Sequence, residues 1–244
     1  MSEAFAPQHF VGPMGSEFWR IAVPPDIVPV LAERVDWNRF GRRVMIDAAG
    51  GVIGWMNPSG THEDYADAAD KTVERAARLL GKTAKAKRGT RWKRPDDPKN
   101  TGLEPDASFY VGVNAERWLA ARRQGGAEAA ALFEAANPPD LVAEIEVTHF
   151  DGDKPGRYAA LGVREMWLVS WKSLDRAVEV EILDLRTPDG PRSVAESLAL
   201  PGLGAATLPE AFELAINVRY EELEELLTAT LALAPQDSGQ STDF

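Results

Sequence analysis

The clearest alternation of apolar and polar residues in the chain runs over residues 141–148, LVAEIEVT. Side chains of a β-strand point alternately to its two faces, so this segment is predicted to be a strand. One face then carries the apolar residues Leu141, Ala143, Ile145 and Val147. Glu144 and Glu146 project side by side from the other face, where like charges raise each other's proton affinity unless a cation lies between them.

The hydrophobic pattern predicts helices and strands along most of the chain. The predicted helices cover residues 61–80, 115–136 and 155–161. The predicted strands cover a pair within 43–56 that turns at Gly50-Gly51, followed by 105–113, 166–171 and 177–185. This order of helix, strands, helix and strands predicts an α/β (α+β) fold, in which a mixed β-sheet is flanked by helices.

Glycine and proline mark the ends of two predicted helices. Gly125-Gly126 interrupts 115–136, so this alanine-rich segment is expected to form two short helices in an insertion at about 114–137. Gly162 is expected to end the helix over 155–161. Because Pro155 disfavours a helical backbone in the residue before it, Lys154 is expected at the mouth of that helix rather than in its first turn.

The two ends of the chain differ in composition from its middle. Residues 1–16 are rich in proline, glycine and small polar residues and are expected to form a flexible arm. Residues 235–244, PQDSGQSTDF, are expected to be a disordered tail. No long linker or internal repeat divides the remainder, so residues 17–234 are predicted to form one domain that can bury a full core.

Composition excludes several classes of protein and site. No apolar run approaches the length of a membrane span, and the N-terminus lacks a basic region followed by an apolar one, which predicts a soluble, cytoplasmic protein without membrane partners. The chain has no cysteine, which excludes disulfides, thiolate zinc sites and cysteine nucleophiles. Its 3 histidines lie far apart in sequence, so a site built from several histidines is not expected.

The charge of the chain is unevenly distributed. A net charge of −11 argues against nonspecific coating of nucleic acid, but residues 82–99 hold 8 lysines and arginines against 2 aspartates. This basic segment is expected to start as a strand and could follow a phosphate backbone and stack a base. Its candidate nucleic-acid-binding residues are Lys85, Lys87, Arg88, Arg91, Trp92 and Lys93. A solvated hairpin is an equally good interpretation of the same segment.

Four charged residues make a pattern that suits phosphodiester chemistry. Asp106 stands near the start of a predicted strand, Glu144 and Glu146 share one strand face, and Lys154 follows on the next short loop. Paired carboxylates hold Mg²⁺ or Mn²⁺, which metal-dependent phosphodiester cleavage requires. The alternatives are a solvated strand face for the glutamates, a turn aspartate at Asp106, and a surface lysine paired with Asp151 or Asp153.

Several segments resemble the Uma-two family of restriction-endonuclease-like proteins, within the PD-(D/E)XK nuclease superfamily. They are Asn57-Pro58 followed by His62, Pro105-Asp106 with Ala107-Ser108-Phe109, Pro139-Asp140-Leu141-Val142-Ala143-Glu144-Ile145, Lys154…Tyr158…Gly162-Val163-Arg164-Glu165-Met166-Trp167-Leu168-Val169, and Leu200-Pro201-Gly202-Leu203. Each segment alone is a weak signal, but their order and spacing over residues 40–215 make the resemblance specific. The chain departs from the family in a shorter loop between Glu144 and Lys154.

The resemblance implies a site as well as a fold. Asp106 and Glu144 would bind Mg²⁺ or Mn²⁺ together with the backbone carbonyl of Ile145, and Lys154 would polarise the attacking water or the phosphate. Glu146 stands where the superfamily's Glu-x-Lys pattern has its lysine. On strand alternation alone, Glu146 could be a further metal ligand or the partner of Lys154. His62 and Asp47 are weaker candidates for the same site.

The sequence therefore predicts a divalent-metal-dependent nuclease that hydrolyses DNA. Two other classes stay open, namely a catalytically inactive nuclease-fold module that binds or regulates, and a metal-dependent hydrolase of another phosphoester. Many nucleases of this fold act as homodimers with one active site per strand. The C-terminal stripe of Leu223, Leu226, Leu227 and Leu231 is expected to be the apolar face of a helix or a dimer contact.

Overall fold

The computed structural model describes residues 8–11, 17–35, 43–47, 51–57, 60–93, 102–146, 152–172 and 177–232. The strands within these ranges are β1 Gln8–Val11, β2 Glu17–Ala22, β3 Arg43–Asp47, β4 Val52–Asn57, β5 Ala84–Ala86, β6 Ala107–Val111, β7 Leu141–Glu146, β8 Glu165–Lys172, β9 Ala177–Asp184 and β10 Arg192–Val194. The helices are α1 Val28–Arg34, α2 Gly60–Leu79, α3 Val113–Ala136, α4 Lys154–Leu161, α5 Leu208–Ile216 and α6 Tyr220–Ala232.

The first four strands form an antiparallel sheet in the order β1-β2-β4-β3. The predicted strand pair within 43–56 is confirmed as β3 and β4. Gly51, the turn residue just before β4, has φ +65°, and a Cβ there would lie 2.4 Å from the carbonyl oxygen of Val23. A residue with a side chain is therefore strained at this turn. Strand β1 lies inside the stretch expected to be a flexible arm, which corrects that expectation for Gln8–Val11.

The other six strands form a mixed sheet in the order β10-β9-β8-β7-β6-β5. Strands β7 and β8 are parallel, whereas the other neighbouring pairs are antiparallel. A parallel pair needs a crossover connection, and helix α4 lies between these two strands in the chain. The predicted class, a mixed sheet flanked by helices, is confirmed.

Strand β7 is buried on both faces. Leu141, Ala143 and Ile145 belong to the main core, which α2, α5 and α6 cover. Val142 belongs to a second core on the opposite face, where it packs with residues that include Tyr158 of α4. The predicted alternation is present, but Glu144 is 3% exposed, so its face is covered rather than solvated.

Helix α4 places Lys154 differently from the sequence-based expectation. The helix begins at Lys154 and ends at Gly162, which adopts φ +89° in the left-handed region. The lysine therefore lies in the first turn rather than at the helix mouth. Its ion pairs with two glutamates of β7 hold it there, and they outweigh the local restriction that Pro155 imposes.

Helices α3 and α6 agree with their sequence patterns. Gly125 and Gly126 have non-helical backbone angles within Val113–Ala136, which confirms two short helices across a kink. In α6, Leu223 and Leu227 are fully buried in the main core, so this apolar stripe is used within the chain rather than at an exposed dimer contact. The expected tail lies outside the described residues. No helix within the described ranges has both the length and the apolarity needed to cross a membrane.

Candidate active site

The sheet brings three carboxylates from two strands to one place. Ala107 of β6 is the antiparallel partner of Ala143 of β7. The residues next to them, Asp106 and Glu144, therefore lie opposite each other on the two chain segments. Glu146 lies two residues further along β7, on the same face as Glu144. The backbone register therefore gathers carboxylates that are up to 40 residues apart in sequence (Asp106 and Glu146).

Lys154 bridges the two glutamates. Its Nζ lies 2.9 Å from Oε2 of Glu144 and 2.5 Å from Oε1 of Glu146. Of the two roles left open for Glu146, the geometry favours the partner of Lys154. The alternative prediction for Lys154 is a surface lysine paired with Asp151 or Asp153. The structure instead shows its ion pairs with Glu144 and Glu146. Asp151 lies outside the described residues.

Asp106 is held by a backbone amide and a histidine. Its Oδ2 accepts a hydrogen bond of 2.5 Å from the amide of Ile145 and lies 3.1 Å from Nε2 of His62. His62 is 1% exposed and stands in the first turn of α2. The weaker sequence candidate His62 therefore joins the site, and the Ile145 peptide group lies against Asp106.

Tyr158 is a further member of the site. The sequence pattern placed it in the core, and it is indeed 1% exposed, but its hydroxyl donates a hydrogen bond to Oε1 of Glu144. Residues four apart on a helix lie on the same face, so Lys154 and Tyr158 contact Glu144 from successive turns of α4. The four-residue spacing between Lys154 and Tyr158 is the feature of the sequence that could have indicated the contact of Tyr158 with Glu144.

Burial and neighbouring charges shift the proton affinities at the site. Burial raises the pKa of Glu144 to about 7, against the pull of the Lys154 ammonium and with a further rise from Asp106. Burial also raises the pKa of Glu146. Burial alone would lower the pKa of Lys154, but the surrounding carboxylates outweigh it and raise that pKa, so the lysine stays charged.

Other sequence candidates lie elsewhere. Asp47 ends β3 in the first sheet, where its backbone pairs with Val52. Trp92 is 4% exposed, its indole donates to the hydroxyl of Ser108 at 3.2 Å, and its ring packs edge-on against Tyr110. A base cannot stack on a ring covered in this way, so the expected stacking role of Trp92 does not fit the structure.

The rest of the basic segment is divided between two places. Lys85, Lys87 and Arg88 line a groove between α2, β5 and α3. Arg91 and Lys93 flank Trp92 outside that groove, with Arg91 half-buried and Lys93 exposed. The first three residues therefore stay candidates for contacts with a phosphate backbone.

Glu165 is a buried carboxylate that the sequence pattern did not single out. It accepts hydrogen bonds from the indole of Trp167, the hydroxyl of Ser197 and the amides of Leu198 and Ala199, at 2.6–2.9 Å. Its oxygens are thus occupied by donors of the 197–200 loop and its own strand. This carboxylate supports the fold and lies outside the set around Glu144.

The candidate ligand atoms of Asp106 and Glu144 are oxygen atoms, which a hard divalent cation requires. Mg²⁺ and Mn²⁺ prefer oxygen, and Mg²⁺ is often held by one or two carboxylates with water and phosphate completing its shell. Within the described part of the chain, no group of three or more His, Asp or Glu side chains is arranged to hold a metal ion. Asp106 and Glu144 fit the smaller set, because the register of β6 and β7 places these two buried carboxylates side by side.

Comparison with known proteins identifies the family. No curated protein and no solved structure matches the chain at a significant level. The family model Uma2, described as "Putative restriction endonuclease", matches residues 31–219. The match covers well over half of the chain and includes every residue of the site around Glu144. The chain belongs to the Uma2 family of restriction-endonuclease-like proteins.

Proposed function

We propose that the protein is a divalent-metal-dependent nuclease that hydrolyses phosphodiester bonds in DNA. The observation that carries this proposal is the convergence of Asp106, Glu144 and Lys154 at one buried place. A carboxylate pair beside a charged lysine suits a reaction that develops negative charge on a phosphate. Family membership supports a nuclease-like activity, and the choice of DNA and of Mg²⁺ or Mn²⁺ is part of the proposal.

Asp106, Glu144 and the carbonyl of Ile145 would hold the metal ion. When bound, a divalent ion supplies charge neutralisation at the phosphate and lowers the pKa of a water molecule. The chain's own groups keep the ligands in place: the Ile145 amide and His62 position Asp106, and the Tyr158 hydroxyl positions Glu144. Ligands fixed in this way need little reorganisation when substrate arrives.

Lys154 would neutralise charge on the substrate. Its ammonium is charged at neutral pH because Glu144 and Glu146 raise its pKa. Without substrate it is shared between these two carboxylates. If Glu144 held a metal ion, the Lys154 ammonium would be free to turn toward a phosphate oxygen, and Glu146 would keep it in reach.

The experiment is a calorimetric titration of Mn²⁺ and Mg²⁺ into wild type, Glu144→Ala and Glu144→Gln. Wild type is expected to bind, and both variants are expected to lose binding and cleavage of plasmid, linear and single-stranded DNA. Glu144→Gln retains the shape of the side chain, which separates loss of charge from loss of folding. Full cleavage activity in a folded Glu144→Gln variant would overturn the site assignment.

A matched control uses an exposed carboxylate two strands away from Glu144 in the same sheet. Glu181 of β9 is exposed and lies one strand beyond Leu168 of β8, the residue that pairs with Glu144, and it has no ion pair with Lys154. Glu181→Gln removes the same charge from the same sheet and is expected to leave metal binding and cleavage unchanged.

A second candidate function is a catalytically inactive module that keeps the nuclease scaffold. The pairing of Lys154 with both glutamates favours it, because internal neutralisation can replace a metal ion. This alternative predicts no Mn²⁺ affinity in wild type.

A third candidate, hydrolysis of another phosphoester, predicts activity that depends little on salt, whereas cleavage of DNA through backbone contacts weakens steeply with salt. A homodimer with one site per strand stays a prediction.

A further inference from the structure

A second feature of the molecule is a groove of about 940 Å³ between the middle of α2, the edge strand β5 and helix α3. Five lysine or arginine side chains and three aspartate or glutamate side chains line it. The whole chain, by contrast, has a net charge of −11. The groove is therefore a locally positive region on an acidic protein, and a polyanion would be attracted to it more than to its surroundings.

One wall of the groove holds two ammonium groups over a single aromatic ring. The Nζ atoms of Lys85 and Lys87 lie 5.1 Å and 4.8 Å from the centre of the Trp118 indole. Glu134 binds Lys87 at 2.5 Å and also accepts from the indole N–H at 2.6 Å, so it neutralises one of the two cations. Lys85 forms no ion pair with a carboxylate among the described residues. An anion placed above it would balance this remaining charge.

Helix α3 adds a further cation to the same wall. Arg122 lines the groove and is exposed, and it too forms no ion pair within the described ranges. Arg123, the next residue, is equally exposed but does not line the groove. The segment expected to be an insertion therefore contributes both an aromatic ring and a cation to the groove.

The opposite wall offers a buried acceptor. Asp70 of α2 is 8% exposed, and its Oδ2 pairs with Nε of Arg88 at 2.9 Å. Its Oδ1 is buried and has no hydrogen-bond partner among the described residues. A buried acceptor without a donor is costly, so a donor from a bound molecule would stabilise it. Amino groups on nucleobase edges are donors of this kind.

The groove lies along two elements that also carry residues of the candidate active site, α2 and the β5–β6 strand pair. Asp70 follows His62 by eight residues on the same helix, a rise of about 12 Å. On the other wall, the carbonyl of Arg88 accepts a hydrogen bond of 2.9 Å from Ser108, two residues after Asp106. Along α2, the rise from His62 to Asp70 corresponds to three to four nucleotide steps of one DNA strand at about 3.4 Å per step.

We propose that this groove binds the DNA strand that leads into the active site, with phosphates at Lys85 and Arg122 and a base edge at Asp70. The inference rests on the proposed function, because it concerns the same substrate. Most hydrogen bonds between proteins and DNA go to the backbone, and lysine and arginine on a groove wall provide them without reading sequence. The groove would set where a strand lies relative to Glu144.

The test measures DNA binding without cleavage. Fluorescence anisotropy of a labelled duplex of arbitrary sequence is recorded in EDTA over a range of salt concentrations. The variants are Lys85→Gln, Arg122→Gln and the control Arg123→Gln, each checked for folding by circular dichroism. Lys85→Gln and Arg122→Gln are expected to weaken binding and to reduce the slope of log affinity against log salt by about 0.9 each. Arg123→Gln is expected to match wild type.

The outcomes separate the two proposals. Wild type that binds no DNA, or groove variants whose affinity and salt slope equal those of wild type, would overturn the groove proposal. Suppose that wild type binds DNA, that both groove variants bind it more weakly, and that wild type shows no metal-dependent cleavage. This result would support the groove proposal and refute the nuclease proposal. Cleavage that needs Glu144 but is accompanied by unchanged binding in both groove variants would refute the groove alone.

Discussion

Lys154 and Glu144 are joined by an ion pair of 2.9 Å between Nζ and Oε2, in which the carboxylate is 4% and the lysine 22% exposed. The pair links the start of α4 to the middle of the mixed sheet. Lys154 also pairs with Glu146, so its ammonium lies between two carboxylates. Among the described residues it is the only ammonium in contact with them. The stability of the site without metal therefore depends on this lysine.

Lys154→Met should lower the free energy of unfolding by about 3 kcal/mol, because it leaves two buried carboxylates without a counter-charge. Urea unfolding in EDTA measures the loss. Mn²⁺ should restore part of it in the variant, since a bound cation replaces the ammonium. The control Arg78→Met removes an ion pair with Glu224 whose members are 63% and 46% exposed, and it should change stability little. Equal losses in the two variants would contradict the central place of Lys154.

Tyr158→Phe should shift the pH dependence of metal binding. The hydroxyl of Tyr158 donates to Glu144 and holds down its pKa, so its removal should raise that pKa further above the present value of about 7. The midpoint for Mn²⁺ binding, followed by calorimetry as a function of pH, should move to higher pH, because the metal needs a deprotonated ligand. The loss of a hydrogen bond to a charged group should also cost about 1.5–3 kcal/mol of stability.

Tyr110→Phe is the matched control for that experiment. Tyr110 is also buried, and its hydroxyl donates to the carbonyl of Asn137 at 2.6 Å, away from the carboxylates. Its replacement should reduce stability without moving the pH midpoint. A shift of equal size in both variants would mean that Tyr158 acts only through packing.

The pH dependence of stability should report the raised pKa of Glu144. In the folded state that pKa is about 7, against an ordinary value of 4.5, so the folded state binds more protons than the unfolded state between these values. The free energy of unfolding contributed by this group therefore falls as pH rises through that window, by about 3 kcal/mol in total. Urea unfolding of wild type and Glu144→Gln in EDTA, compared at each pH, should show this difference.

The comparison cancels the contributions of the buried carboxylates outside the cluster, such as Asp70 and Glu165, whose pKa values are raised in both proteins. Exposed Glu181→Gln should leave the wild-type curve unchanged. Mn²⁺ should flatten the wild-type curve, since a bound cation favours the charged carboxylate. Parallel curves for wild type and Glu144→Gln would contradict the raised pKa.

Glu165→Ala should be among the most damaging single changes to the fold. It removes the acceptor for four donors, of which the Trp167 indole and the Ser197 hydroxyl are buried and would be left without this partner. We expect a loss of at least about 3 kcal/mol in urea unfolding. Glu181→Ala on the adjacent strand should cost little. The Glu165→Ala protein that remains folded should still bind Mn²⁺, because this carboxylate lies outside the site; loss of metal binding in that folded fraction would contradict the assignment.

The local pattern was enough to predict much of the fold. Period-two alternation located β7, and glycines located the kink of α3 and the end of α4, because these features depend on backbone geometry within a few residues. Expectations failed where contacts from elsewhere in the chain decide. Gln8–Val11 is ordered by pairing with β2, and Trp92 is covered by Tyr110.

The sequence by itself determined the local placement of the candidate site residues, since alternation puts Glu144 and Glu146 on one face of a strand and helical spacing puts Lys154 and Tyr158 on one face of a helix. Only the tertiary structure decided how they meet. The β6–β7 register brings Asp106 to Glu144, and α2 brings His62 to Asp106. The packing of α3 against β5 likewise creates a groove that spans distant segments. Such contacts join residues with no local pattern in common, and their energies depend on burial that exists only once the core is assembled.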